Sequence, residues 1–98
     1  MKYHVIKLIP PRKTFPGDMM PAERVLMEAH AVYWQHLVAQ GHVVILGPVL
    51  DPAGTYGLCV VRLGDGVDPR TLCAEDPVIQ AGIGFTVEAA PMASAMVP

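Results

Sequence analysis

The chain has 98 residues, of which 52% are hydrophobic and 16% are charged. This length fits a single domain, residues 1–98, which buries only about two-thirds of its unfolded surface. The apolar excess therefore indicates an oligomeric interface. The net charge of −2 comes from scattered acids and bases. Without a basic stripe to neutralise several phosphates, nucleic-acid binding is excluded.

The two cysteines, Cys59 and Cys73, lack CxxC spacing and are interpreted as reduced core thiols. Lys7 interrupts the N-terminal apolar segment, which has no cleavage site of small residues and does not resemble a signal peptide. The longest nearly apolar run, Val43 to Leu50, is far too short for a membrane span. We therefore expect a cytoplasmic protein that does not bind membranes.

The first half of the chain predicts a strand, a loop and a long helix. Residues 2–9 carry apolar side chains on both faces, which is typical of a central strand. Residues 10–20 form a loop. Residues 21–40 predict the main helix, with Pro21 at its first position and Gly41 just beyond its end.

One apolar face of that helix is predicted from three- and four-residue spacing. Its members are Ala22, Val25, Leu26, Ala29, Tyr33 and Leu37. By the same helical arithmetic His36 falls within this face, which favours a place in the core or in an interface. His30 falls at the edge of the face.

The second half predicts a hairpin, a short helix and a last strand. Residues 42–50 and 55–63 form the two hairpin strands around an Asp-Pro-Ala-Gly turn. A short helix follows at about residues 68–75, and Gly82 to Ala89 forms the last strand.

The resulting order is βαββαβ, the α+β arrangement of ferredoxin-like domains with an antiparallel sheet. Two helices can cover only one face of a four-stranded sheet. The other face needs a partner, because the second strand is apolar on both sides. We therefore expect a homodimer in which the two sheets pack face to face.

Candidate chemistry rests on few residues. His4 and His42 are interpreted as structural or surface residues, and His30, taken alone, also favours a structural role. An imidazole at the edge of an apolar face can nevertheless exchange protons near neutral pH. Asp76, before Pro77, is either a helix-ending residue or a functional acid. No HxxxH, HExxH or CxxC metal pattern, phosphate-binding loop or nucleophile elbow is present.

A series of short motifs does point to a family. They are His30-x-x-Tyr33-x-x-x-Leu37, Gly41, Gly47-Pro48, Gly54, Asp76-Pro77, Ala81-Gly82 and a closing strand to Glu88 and Pro91. Each is weak alone, but their order and spacing are fairly specific. Through them the chain resembles YCII-related proteins over about residues 28–92, and the first strand also fits.

This resemblance implies a ferredoxin-like, dimeric α/β-barrel fold with an active-site pair that falls on His30 and Asp76. Asp76 would orient the imidazole and stabilise its charged form, and His30 would act as general acid or base. The resemblance places Gly47-Pro48 and Gly82 beside a ligand, although turns and tight packing explain these glycines equally well. Tyr33 would line the pocket or simply pack.

Two functions remain open. The first is an isomerase or lyase without a cofactor, which uses the His30–Asp76 pair on a small cyclic or unsaturated compound. Muconolactone isomerases share the fold, and the family includes dehydrochlorinase-like members. The alternative is a non-catalytic dimeric module that binds a ligand or a protein. A metal site at His30 and Asp76 is disfavoured, because further ligands are not evident. The proline-rich loop at residues 10–20 departs from the family and would cover a pocket.

Overall fold

The computed structural model describes all 98 residues and contains four strands and three helices. In chain order these are β1 (Lys2–Ile9), α1 (Pro21–Ala39), β2 (Val43–Val49), β3 (Tyr56–Leu63), α2 (Arg70–Ala74), α3 (Pro77–Gln80) and β4 (Thr86–Pro91). The strands form one antiparallel sheet in the order β2-β3-β1-β4. The predicted α+β class is confirmed, as are the central place of β1 and the β2–β3 hairpin.

Helix α1 begins at Pro21, as predicted, and is followed by Gly41 with a left-handed φ of +83°. Its buried face agrees with the predicted one in part: Leu37 enters the core, and Leu26 and Tyr33 pack against buried clusters. Val25 and Ala29, however, are exposed. Trp34, which the prediction left out, is buried instead, because its large aromatic side chain covers more of the sheet than these small residues can.

His36 is also exposed, so the predicted place in the core of the chain is wrong; the alternative of an interface stays a prediction. The last strand begins later than predicted, at Thr86. Gly82 and Gly84 have φ of +64° and +106°, outside the strand region, and a Cβ at Gly84 would lie 2.9 Å from the Cβ of Pro11. The chain therefore turns tightly under the loop at residues 10–20 before β4 starts.

The segment before this turn holds two helices where one was predicted. Glu75 caps the end of α2, and Asp76 begins α3, because its extended backbone suits a residue before proline. Its Oδ1 accepts a hydrogen bond from the backbone N–H of Val78 at 3.0 Å. Asp76 is therefore the N-cap of α3.

All three helices contribute to the packing on one face of the sheet. The main core joins strand residues such as Ile6 and Val61 to Trp34 and Cys73 from the helices. A second cluster holds three buried side chains: Phe15 in the loop, Val78 in α3 and Phe85 before β4. The rings of Phe15 and Phe85 meet edge to face at 5.4 Å, which anchors the loop over the sheet.

The opposite face of the sheet is not covered by any element of the chain. One apolar row crosses it, because the pairing places Ile45 beside Val60, Val60 beside Val5, and Val5 beside Ala90. Strand β2 lies at the sheet edge, and Ile45 is 60% exposed. No helix combines the length and apolar character that crossing a bilayer requires.

Candidate active site

His30 and Asp76, 46 residues apart in sequence, are in direct contact. The Nδ1 atom of His30 lies 2.7 Å from Oδ2 of Asp76. His30 projects from the middle of α1, and Asp76 stands at the junction of α2 and α3. The packing of the two short helices against α1 therefore forms the pair.

Three donors hold the carboxylate of Asp76, which is 1% exposed. Oδ2 accepts from the indole Nε1–H of Trp34 at 2.7 Å as well as from His30. Oδ1 accepts from the backbone N–H of Val78. Because both oxygens are engaged, the carboxylate has little freedom to rotate, and it holds the imidazole in one orientation.

Opposing effects act on the pKa of Asp76. Burial by itself raises the pKa, because it disfavours the charged carboxylate. The hydrogen bonds from His30 and Trp34, the positive charge of protonated His30 and the Val78 amide act in the other direction and prevail, so the pKa lies below its ordinary value. Asp76 is consequently ionised at neutral pH and accepts hydrogen bonds only.

This charge state fixes the tautomer of His30. Since an ionised carboxylate cannot donate, the neutral imidazole must carry its proton on Nδ1. The lone pair is then on Nε2. The side chain of His30 is 16% exposed and lines a cavity, so this ring offers a base to whatever the cavity holds.

The cavity has a volume of about 420 Å³ and lies between α1, the helix-covered face of the sheet and the loop at residues 10–20. This size is typical of small-molecule sites. Most of its lining is apolar; the apolar side chains include Leu8, Phe15, Met19, Met27, Trp34, Leu46, Phe85 and Val87. His30 and Asp76 are the ionic groups of the wall.

Both cysteines also line this cavity but are poor nucleophiles. Burial, together with the other thiol nearby, raises the pKa of Cys59 to about 12. Burial and then the charge of Asp76 raise the pKa of Cys73 to about 11. Because the thiolate is the reactive form, neither cysteine is activated at neutral pH.

The remaining predicted ligand residues divide into two groups. Gly47 and Pro48 on β2 line the cavity. Tyr33 and Gly82 do not. Tyr33 packs against the core and donates a hydrogen bond from its hydroxyl to the backbone carbonyl of Leu72 at 2.7 Å, and Gly82 makes the turn before β4.

An ion-pair network ties the loop at residues 10–20 to α1. Arg12 donates from both terminal nitrogens to the two carboxylate oxygens of Glu23, at 2.8 and 2.7 Å, and from Nε to Asp18 at 2.8 Å. Glu23, in turn, accepts from the backbone N–H of Met20, just before α1. The network holds Phe15 and Met19 of this loop over the cavity.

Sequence reasoning missed Trp34 and the two phenylalanines as site residues. The spacing of Trp34, four residues after His30, was available as a signal, because residues at this spacing share a helix face. Phe15 and Phe85 lie in irregular segments, where no periodicity predicts what they contact. No group of three or more His, Cys, Asp or Glu side chains is placed to hold a metal ion.

The fold and the site define a small α+β domain with a His–Asp pair on an apolar cavity. The sequence matches the family model of the YCII-related domain over residues 1–93. The chain therefore belongs to the YCII-related family. No curated protein matches the sequence.

Proposed function

We propose that this protein is a proton-transfer enzyme, an isomerase or a lyase, acting on a small cyclic or unsaturated organic compound without a cofactor. The observation that carries the proposal is the contact between His30 and the buried carboxylate of Asp76 at the wall of an apolar cavity. An imidazole held in one orientation at the wall of an apolar cavity suits general acid–base catalysis.

The reaction begins when Nε2 of His30 takes a proton from a C–H bond next to an electron-withdrawing group. Asp76 stabilises the resulting imidazolium through the 2.7 Å contact with Nδ1. In an isomerisation, the imidazolium returns the proton to another atom of the same molecule. In an elimination, the electron pair of the C–H bond forms a double bond as an anion leaves, and the proton passes to solvent.

The same proposal includes a homodimer of the ferredoxin-like, dimeric α/β-barrel type. Its support is the apolar row Ile45, Val60, Val5 and Ala90 across the uncovered sheet face. Strand β2 adds an exposed, apolar edge of the kind that proteins normally cover. A second copy offers the same row, so the two faces are self-complementary.

The chemistry is tested by deuterium exchange. A panel of lactones, cyclic ketones and chlorinated hydrocarbons, each tested with and without a carboxylate group, is incubated with the protein in D₂O, and deuterium uptake or loss of halide is followed by NMR. We expect turnover of at least one compound and a loss of about 10²–10⁴-fold in His30→Gln, the usual contribution of a general base. His36→Gln, an exposed histidine on the same helix, is the matched control.

Turnover that is unchanged in His30→Gln contradicts the mechanism. A ligand that binds in the cavity and is released without exchange supports the alternative, a non-catalytic ligand-binding module.

The dimer is tested by light scattering on the eluting protein, with an expected mass of twice the 10.5 kDa chain. Ile45→Lys should yield monomers, whereas Val25→Lys, at an exposed valine on α1, should leave the dimer intact. A monomeric wild-type protein at micromolar concentration contradicts this assembly.

A further inference from the structure

We infer that the site selects an uncharged substrate and rejects carboxylates and phosphates of the same shape. This inference rests on the proposed function and narrows it, since the reaction alone says nothing about the charge of the substrate.

No lysine or arginine lines the cavity. The group with a permanent charge in the wall is the carboxylate of Asp76, which is 1% exposed. An anion entering the cavity would meet the negative charge of Asp76 and would find no lysine or arginine in the lining to pair with. Burying such an ion is far more costly than burying a neutral polar molecule.

The covering loop carries two cations, Arg12 and the exposed Lys13, and neither of them lines the cavity. Arg12 belongs to that loop, but all of its guanidinium nitrogens donate to Glu23 or Asp18. Those two acids neutralise Arg12 locally. The loop thus contributes the aromatic ring of Phe15 and the thioether of Met19 to the cavity, whereas its charged side chains lie outside the lining.

Recognition of a neutral molecule then depends on shape and on few polar contacts. Phe15, Trp34 and Phe85 provide aromatic surfaces suited to a flat ring. Gln35 and Thr55 are uncharged polar residues of the lining and can hydrogen-bond to a carbonyl or hydroxyl group. A cyclic ketone, a lactone or an un-ionised phenol has this chemistry.

The test compares 2-naphthol, which is uncharged at pH 7, with 2-naphthoate, an anion on the same ring system. Trp34 is the only tryptophan and lines the cavity, so a single indole N–H resonance in a ¹H–¹⁵N NMR spectrum reports binding. We expect 2-naphthol to shift this resonance with an affinity at least about 10-fold higher than that of 2-naphthoate.

A charge variant makes the comparison specific to the cavity. Gln35→Arg places a cation in the lining and should raise the ratio of the 2-naphthoate affinity to the 2-naphthol affinity by about 5–10-fold. Gln40→Arg, at an exposed glutamine just after α1 and outside the lining, is the matched control and should change neither affinity.

Equal or tighter binding of 2-naphthoate to the wild-type protein overturns the inference, as does an indole resonance that neither probe moves. Neither result decides whether the proposed reaction occurs, because the exchange experiment with His30→Gln tests that reaction independently. Conversely, if the protein binds 2-naphthol selectively but catalyses no exchange, the preference for an uncharged ligand stands and the proposed enzymatic activity is refuted.

Discussion

Two buried carboxylates, Asp76 and Glu23, organise different parts of this molecule. Each is less than a tenth exposed, and each accepts hydrogen bonds from at least two residues. They differ in their ionisable partner. Glu23 binds Arg12, which is charged at every working pH, whereas Asp76 binds His30, which can gain and lose a proton.

The difference shows that a buried carboxylate can either anchor a loop or, as proposed for Asp76, orient a group that takes part in a reaction. The Glu23–Arg12 pair lies outside the cavity lining and holds the covering loop in place. The Asp76–His30 pair lies in the lining, and its charge state can change during a reaction. Burial alone therefore does not single out the candidate catalytic pair; the titratable partner and the adjoining cavity are what support that proposal.

The largest expected effect comes from Asp76→Asn compared with Glu23→Gln. In Asp76→Asn an NH₂ group replaces one of the two carboxylate oxygens. It faces either the Val78 N–H or the donors of His30 and Trp34, so at least one buried donor loses its acceptor. We expect the free energy of unfolding to fall by about 3 kcal/mol in Asp76→Asn. Urea unfolding at pH 7 measures both variants, and a larger loss in Glu23→Gln would reverse the comparison.

Acid should separate the two carboxylates. Asp76 has a lowered pKa, so its stabilising contribution is complete above its ordinary value of 3.8 and is lost as the pH falls through the lower value of the folded state. Hydrogen bonds from Arg12 and then from the Met20 amide lower the pKa of Glu23 from 4.5 to about 2, so its contribution is complete above pH 4.5 and is lost toward pH 2.

Stability measured between pH 7 and pH 2 should therefore be flat above about pH 5 and fall below pH 4.5. In Glu23→Gln the fall should be shallower, because the proton that Glu23 takes up is gone, while those of Asp76 and Asp18 remain. A pH profile identical to that of the wild-type protein would show that Glu23 contributes nothing to acid stability.

A smaller effect is expected for Trp34→Phe, which removes the indole donor to Asp76 but keeps an aromatic ring. The carboxylate loses one hydrogen bond, and its pKa should rise toward the ordinary value. Its ¹³C carboxyl resonance, followed against pH, measures the change. Tyr33→Phe, which loses only the bond to Leu72, is the matched control; equal responses would mean that Trp34 merely packs.

The smallest effect is expected for Arg12→Met, which releases the covering loop without touching the cavity lining. Binding of 2-naphthol should weaken a few-fold, through faster dissociation, while the His30–Asp76 contact persists. Lys13→Met, at the neighbouring exposed cation, controls for the lost charge. If Arg12→Met binds 2-naphthol as tightly as the wild-type protein, the anchoring of the loop by Arg12 does not help to retain the ligand.

Local signals predicted much of the fold. Pro21 and Gly41 bounded α1 because each acts through its own backbone geometry, and the two apolar faces of β1 placed it inside the sheet. The start of β4 was missed because alternating side chains suggested a strand, whereas Gly82 and Gly84 adopt left-handed conformations, and Gly84 also packs closely against Pro11.

The site was less accessible to sequence reasoning. Periodicity put His30 at the edge of a helix face but could not join it to Asp76, because that contact depends on how α3 begins. The family motifs supplied the pairing. Trp34 was absent from the predicted site, although it donates to the same carboxylate oxygen, since a buried tryptophan is ordinarily explained by packing alone.

The most direct test of the central claim, that Asp76 prepares His30 as a base facing the cavity, is the tautomer of its neutral ring. Long-range ¹H–¹⁵N NMR at about pH 8.5, above the ordinary imidazole pKa of about 6.5, distinguishes the two ring nitrogens, with His30→Gln for assignment. The account predicts a proton on Nδ1, a bare Nε2, and a change in this pattern in Asp76→Asn but not in Glu23→Gln. A proton on Nε2 that is indifferent to Asp76→Asn would contradict it.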